Sequence, residues 1–543
     1  MPAKKPKLLI AAAAVAAGSV AVYFYFQGLS QQISNPQESA KVVPDEATMA
    51  AFISPNPQAL AQLQQFGTPG AQKLVGQGLK AFQEQSLAGT QIDFDRDLKP
   101  WLGGVMVALL PPDAAAKTEA PELLVVVSVK NKISAWNFAN KLKSQQGATI
   151  QETEYKGVKI SEIAEPTGKR YSVALLNDQL VMAPLRKPVE LAIDTFKGAP
   201  SLATQQSTTK FFSESAGVKN PIATIYIADY PASMQQLKAN FPDDLQPLLT
   251  VMQQFKQVKS LVAGIGADSS GLRVKTIAQL DPKLMQQNSP SPSKLLSRFP
   301  GETIALVGGK GLDKIWLQAT AEAKDSQEVD RGIQQVRDSF KRLDLDADRD
   351  VFGWMNGEFA IGAIGSDRGI LSQLGMGAAM IFETSDRPAA EATLKKLDAI
   401  AKSNPTVSVA PRQIQGKEVT EWKIPQQGTL FGHGWLNENS MFVAFGGPLV
   451  DVITTAPPQP LSSSPSFQAI ATSLPQANQG YFYIDMEKTM SWANRYLLAV
   501  QPNLVSPPVA DLLNSLRGVS VATTSTEPTT AKLEMLFALK SHN

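Results

Sequence analysis

Arg96-Asp97-Leu98-Lys99-Pro100-Trp101-Leu102-Gly103-Gly104 returns in the second half of the chain as Arg349-Asp350-Val351-Phe352-Gly353-Trp354-Met355-Asn356-Gly357. The shared skeleton is Arg-Asp, three residues, Trp, two residues, Gly. Each copy runs into an apolar stretch that reads as a strand. Moving outward, further correspondences keep their order at a spacing of about 255 residues. Val43-Pro44-Asp45-Glu46 precedes a strand-like run over 49–53, and Phe299-Pro300-Gly301-Glu302 precedes one over 303–307. Leu176-Asn177-Asp178 and Leu436-Asn437-Glu438 are each a tight turn between apolar runs. Ile225-Tyr226-Ile227 with Asp229 and Met234 answers to Phe482-Tyr483-Ile484 with Asp485 and Met490. So long a period exceeds any solenoid unit and means two whole domains from a duplication.

Each copy reads as strand, helix, two strands, helix, hairpin strands, further helices and a closing hairpin. Leu74, Val75, Leu79 and Phe82 mark one face of a first helix, and Ala390, Leu394 and Leu397 mark one in the second copy. Ser134 and Asp386 are the expected N-caps, with Pro388 suited to a first turn. Leu248, Met252 and Phe255 form a later stripe, as do Val509, Leu512, Leu513 and Leu516. The expected fold class is α+β: a single N-terminal transmembrane helix, then two duplicated domains of mainly antiparallel sheet with packed helices. The order of elements admits a ferredoxin-like unit at the start of each repeat; a generic antiparallel α+β layer is the alternative. The boundaries read are an anchor over 1–29, a juxtamembrane linker over 30–42, a first repeat over 43–280, a Gln/Ser/Pro-rich linker over 281–294, and a second repeat over 295–543.

The expected anchor is Leu8 to Phe26, which carries no charge and ends in Tyr23-Phe24-Tyr25-Phe26. At about 1.5 Å per residue it would span roughly 30 Å, the thickness of a hydrocarbon core. Lys4, Lys5 and Lys7 before it imply a cytoplasmic N-terminus. The body would then be periplasmic or thylakoid-lumenal, with the membrane itself as a partner. A cleaved signal peptide is the competing reading. The chain has 51 Lys+Arg against 49 Asp+Glu, so with those three lysines set aside the body is nearly neutral. Such a body has no field to gather a polyanion, which argues against nucleic acid. There is no cysteine, hence no thiol nucleophile, disulfide or Cys-based metal site, and the two histidines are His433 and His542.

Candidate sites are few. Asp344, Asp346, Asp348 and Asp350 alternate like a calcium loop, but the sixth position from Asp344 is Arg349 and the twelfth is Met355. The turn glycine and the bidentate glutamate of such a loop are both missing, so these four are weak metal candidates. Arg96, Asp97, Trp101 and Gly104, with Arg349, Asp350, Trp354 and Gly357, form a motif shared by both copies and are expected to be structural. Gly308-Gly309-Lys310-Gly311 lacks the phosphate-loop spacing and reads as a turn. His433 has no motif partner and reads as a sheet residue. No cofactor is expected, and no catalytic motif is found.

Val42 to Asp45, Gln64-Gln65-Phe66-Gly67-Thr68-Pro69 and Asp93 to Gly104 give the chain a resemblance to the cyanobacterial family filed as domain of unknown function 3352. The resemblance covers nearly the whole length and implies a membrane-anchored, extracytoplasmic protein with no assigned site. The functional expectation is a non-enzymatic, membrane-anchored scaffold or an assembly and maintenance factor with protein partners. The alternative is a binding or carrier module for a lipid, pigment or other apolar ligand.

Overall fold

The computed structural model describes residues 35–54, 56–73, 93–112, 122–144, 149–164, 170–204, 217–238, 252, 255, 257–281, 290–325, 327–499, 501, 504–527 and 529–541. The chain divides into two compact units. One comprises residues up to 283 with 529–532 and 542–543; the other comprises 284–528 with 533–541.

The first unit holds strands β1 (Met49–Ile53), β2 (Leu102–Leu110), β3 (Glu122–Val129), β4 (Thr149–Tyr155), β5 (Val158–Ala164), β6 (Arg170–Leu176), β7 (Gln179–Ala183), β8 (Pro221–Ile227), β9 (Val258–Asp268) and β10 (Gly271–Leu280). Their order across the sheet is β4-β5-β6-β7-β3-β2-β1-β8-β9-β10, antiparallel throughout. The second unit holds β11 (Thr303–Lys310), β12 (Glu358–Gly365), β13 (Met376–Glu383), β14 (Ser408–Ile414), β15 (Lys417–Ile424), β16 (Gly428–Trp435), β17 (Ser440–Phe445), β18 (Gly480–Asp485), β19 (Leu516–Glu527) and, from Leu533 on, β20 (Thr530–Leu539). Its order is β14-β15-β16-β17-β13-β12-β11-β18-β19, again antiparallel. These nine strands repeat the order of the first sheet from β4 across to β9.

The registers agree residue by residue. One rung of the first sheet runs Thr153, Ile160, Ala174, Val181, Val126, Met106, Phe52, Thr224, Gly264. The matching rung of the second runs Arg412, Val419, Gly434, Phe442, Ile381, Ala360, Gly308, Tyr481, Ala522. Side chains on one rung share a face, so both rungs feed their unit's core. The aromatic has changed strands within them. Phe52 lies across from Thr224, whereas Gly308 lies across from Tyr481. A Cβ on Gly308 would stand 2.3 Å from the Tyr481 ring, so the glycine is what admits the ring. Close-packed interiors tolerate such a swap because total volume is kept.

Among the described residues the helices are α1 (Pro36–Ala40), α2 (Pro57–Leu63), α3 (Lys132–Ser144), α4 (Arg186–Phe196), α5 (Tyr230–Lys238), α6 (Leu312–Glu322), α7 (Gln327–Lys341), α8 (Arg387–Ser403), α9 (Gly447–Thr455), α10 (Pro465–Ala471), α11 (Met486–Trp492) and α12 (Pro507–Ser515). The Asp386 side chain caps α8 by accepting from the Ala389 amide, with proline in the first turn. In α3 the cap is Asn131, which accepts from the Ser134 amide, so that helix begins ahead of Ser134. Leu74 to Phe82 and Leu248 lie outside the described residues. Val509 and Leu512 of α12 are exposed rather than core-facing. Within the stretch read as a tether, Asn35 caps α1, and Ser39 and Ala40 are buried.

Two expectations are corrected here. No helix among the described residues is long and apolar enough to cross a membrane, and Leu8 to Phe26 lies outside those residues. What the structure supports is the α+β part of the fold class. The single-pass topology, the cytoplasmic N-terminus, the periplasmic or thylakoid-lumenal body, the membrane partnership and the anchored-scaffold function all rested on that helix and are withdrawn. The ferredoxin-like unit is also replaced. It needs two parallel strands with a third between them, but β1 and β2, joined through a helix, lie side by side and antiparallel, as do β11 and β12.

Candidate functional site

The duplicated Arg-Asp-Trp motif builds the same clamp twice. Each copy is a π-helical turn, Phe94–Leu98 and Ala347–Phe352. Asp97 pairs with Arg96 at 3.0 Å and with Lys141 of α3, and accepts from the Asp93 amide at 2.8 Å. Asp350 pairs with Arg349 at 2.8 Å and with Lys396 of α8 at 2.8 Å, and accepts from the Asp346 amide at 3.1 Å. The Trp101 indole donates to the Asp97 carbonyl at 2.7 Å, and the Trp354 indole to the Asp350 carbonyl at 3.0 Å. Both indoles are buried. The arginines, then burial working the other way, and the lysines together hold both carboxyls below the usual carboxylate range. Gly357 is needed because a Cβ there would stand 2.4 Å from the Glu383 carbonyl oxygen. All the acceptors face groups of the fold, so the clamp ties the turn before a strand to the helix beyond it. Gly104 sits in β2 at the corresponding place.

The four alternating aspartates do not converge. Asp346 caps its turn through the Arg349 amide, and Asp348 takes Arg337 at 2.8 Å and the Trp316 indole at 2.6 Å. Asp350 belongs to the clamp, and Asp344 sits in a left-handed turn at φ 51°. Among the described residues no group of three or more His, Cys, Asp or Glu side chains could hold a metal ion.

His433 is buried in β16, and its Nε2 lies 2.9 Å from Asp398 of α8, which also accepts from the Trp422 indole at 2.7 Å. Burial pushes the Asp398 carboxyl up, but the two hydrogen bonds outweigh it and hold the group below its ordinary value. By register, the first unit has Val173 and Ile163 where the second has His433 and Trp422. Another network survives with its arginine moved. Arg186 on α4 joins Glu162 at 3.0 Å and Glu190 at 2.8 Å; Arg412 on β14 joins Glu421 at 2.9 Å and Asp451 at 2.7 Å.

The arrangement with room for a ligand lies in the second unit. A cleft of about 520 Å³ opens where β11 begins, β12 ends and β13 begins, under α11 and the π-helical turn Ala493–Leu497 that follows it. Its walls include Ile304, Trp492 and Tyr496, with Glu302, Asp367, Glu487, Lys488 and Arg495 as its charged groups. Each wall is fixed. The Trp492 indole donates to the Leu374 carbonyl at 2.8 Å. Gly375 has φ +70°, and a Cβ on it would stand 2.1 Å from the Tyr496 ring, so only glycine both makes this turn and admits the ring. Lys488 is spent on the fold: its ammonium meets the Gly301 carbonyl at 2.6 Å, Asp485 at 3.0 Å and Ser466 at 3.2 Å. Glu487 pairs with Lys540 at 3.4 Å.

Asp229 and Asp485 cap α5 and α11 through the amides of Ala232 and Lys488, which aligns the two helices. Lys488 then answers to Ala232 and Trp492 to Gln236, whose side chain accepts from Thr48. In sequence, Arg495 and Tyr496 answer to Ala239 and Asn240, outside the described residues. Among the described residues, Trp492 therefore has no aromatic counterpart in the first unit. Sequence reading missed this cleft because its parts come from four separate segments, and no periodicity joins them.

Among solved structures, the chain is similar to "Structure of crystal form I of TP0453" at 13% identity over 45% of this chain and 78% of that one, with a TM-score of 0.25. It is similar to crystal form III of TP0453 at 14% identity over 44% and 79%, with a TM-score of 0.27. Likenesses so slight carry no argument about this chain. No curated protein matches it. The family model described as "Protein of unknown function (DUF3352)" matches residues 8–539, and the chain belongs to that family.

Proposed function

We propose that the protein binds an apolar or amphipathic small molecule, such as a lipid or a pigment, in the cleft of its second unit, and binds it without transforming it. The observation that carries this reading is the cleft itself. Its volume of about 520 Å³ falls within the roughly 300–1,000 Å³ of small-molecule sites, which are concave, apolar-walled and largely pre-formed. Trp492 and Tyr496 supply broad apolar faces at little cost in conformational freedom, and the turn at Leu374 and Gly375 holds both by an indole hydrogen bond and by close packing on the Tyr496 ring. Lys488 and Glu487 are engaged within the fold, which suits a site that holds rather than reacts. The cyanobacterial source implied by the resemblance belongs to this reading, and the taxonomic spread of the family tests it.

The test is titration of the full chain with N-phenyl-1-naphthylamine, an uncharged probe that brightens in apolar surroundings. Saturable binding is expected, weakened about tenfold in Trp492→Ala, the scale of about 1.4 kcal/mol for one lost aromatic contact. A linear, non-saturating response, or equal affinity in the variant, would remove the proposal.

A further inference from the structure

We infer that the first unit carries a self-complementary surface, centred on Trp136, through which two copies of this chain pair about a twofold axis. Ile133 and Trp136 lie one turn apart on α3 and are 74% and 66% exposed, the two highest values for large apolar side chains among the described residues.

The second unit closes the same place with its own residues. The caps Asn131 and Asp386 and the clamp lysines Lys141 and Lys396 align α3 with α8. Lys132, Ile133 and Trp136 then answer to Arg387, Pro388 and Glu391. The rung shared by Ala174 and Gly434 makes Leu175 answer to Trp435. Arg387 lays its guanidinium carbon 4.2 Å from the centre of the Trp435 ring, pairs with Glu391 at 2.7 Å and donates to the Glu438 carbonyl at 3.3 Å. One arginine thereby covers the strand's aromatic and ties it to the helix. In the first unit Lys132 turns instead to Asp178 at 2.6 Å, Trp136 stands at the glutamate's place, and Leu175 is 54% exposed. Ile133, Trp136 and Leu175 therefore form one open apolar patch around Lys132.

The charges on its rim point to the occupant. Lys132 and Asp178 are 68% and 61% exposed, so the patch presents one cation and one anion beside its apolar side chains. A twofold axis through such a patch brings Lys132 of each copy to Asp178 of the other, while Trp136 and Ile133 meet across the axis. A partner of a single charge sign would leave one of the two unmatched. Three such side chains cover on the order of 400 Å² per copy, below the roughly 800 Å² per partner of a stable complex. The pairing is accordingly transient, with a dissociation constant on the order of 10–100 µM.

Sedimentation velocity of the full chain from about 1 to about 200 µM tests this. A monomer–dimer equilibrium in that range is expected, weakened about tenfold or more in Trp136→Asp with circular dichroism unchanged. Lys132→Glu and Asp178→Lys should each weaken self-association by about tenfold, since like charges then meet across the axis. An equimolar mixture of those two variants should form heterodimers within about threefold of the unaltered affinity, because each offers the charge the other lacks. A chain still monomeric at about 200 µM would leave the patch to another occupant and overturn the inference. So would association untouched by Trp136→Asp, or a mixture no tighter than either charge variant alone.

Discussion

Asp350 meets Arg349, Lys396 and a backbone amide with a side chain that is 13% exposed, and Asp97 repeats the arrangement at 7%. A carboxylate so enclosed contributes through charge-assisted hydrogen bonds, each worth about 1.5–3 kcal/mol. Asp350→Asn should therefore lower the unfolding free energy by about 2 kcal/mol, read by urea denaturation at neutral pH. The pH dependence has a definite sign. Both carboxyls are depressed in the folded state, so their contribution is present above the unfolded value near 3.8. It is lost as the pH falls below that value toward the folded one. The gap between the unaltered chain and Asp350→Asn should accordingly narrow between about pH 4 and pH 2; a gap constant down to pH 2 would show that the charge plays no part. Arg349, Asp350 and Trp354 were legible because they lie within one short stretch. Lys396 was not, because it reaches the same carboxylate from a helix some 46 positions away.

At the scale of elements, the duplication preserved pairs rather than residues. The Phe52–Thr224 neighbours and the Gly308–Tyr481 neighbours fill the same place on equivalent strands, and Arg186 and Arg412 bridge equivalent acids from a helix in one copy and a strand in the other. Gly308→Phe alone should overpack against Tyr481, and Tyr481→Thr alone should leave a void, each costing about 1–3 kcal/mol or more. The double variant Gly308→Phe/Tyr481→Thr should recover part of that loss, with a coupling energy of about 1–3 kcal/mol in a double-mutant cycle. Additive losses would mean the two positions do not share a space. Apolar alternation announced most strands and their pairing turns, and Asp386 announced its helix. The exchange between strands was hidden, because one sequence shows a missing aromatic without showing where it went. The order of strands was hidden too: the pattern of element types suits both a split parallel unit and the antiparallel neighbours that form.

At the scale of the whole molecule, two units share one sheet order and one clamp, and they part company at the cleft. The duplicated motif made the loudest signal in the sequence and proved to be architecture. The functional reading instead rests on Trp492, Tyr496 and Gly375, which no spacing linked, and Trp492 has no aromatic match at Gln236. One ligand site is therefore expected on a chain with two similar halves. The most direct measurement is the stoichiometry of N-phenyl-1-naphthylamine binding by the full chain, alongside Gly375→Leu and Gln236→Ala. One equivalent per chain is predicted, lost in Gly375→Leu because its side chain would enter the space of the Tyr496 ring, and kept in Gln236→Ala. Two equivalents, or one that survives Gly375→Leu in a chain with unaltered circular dichroism, would contradict it.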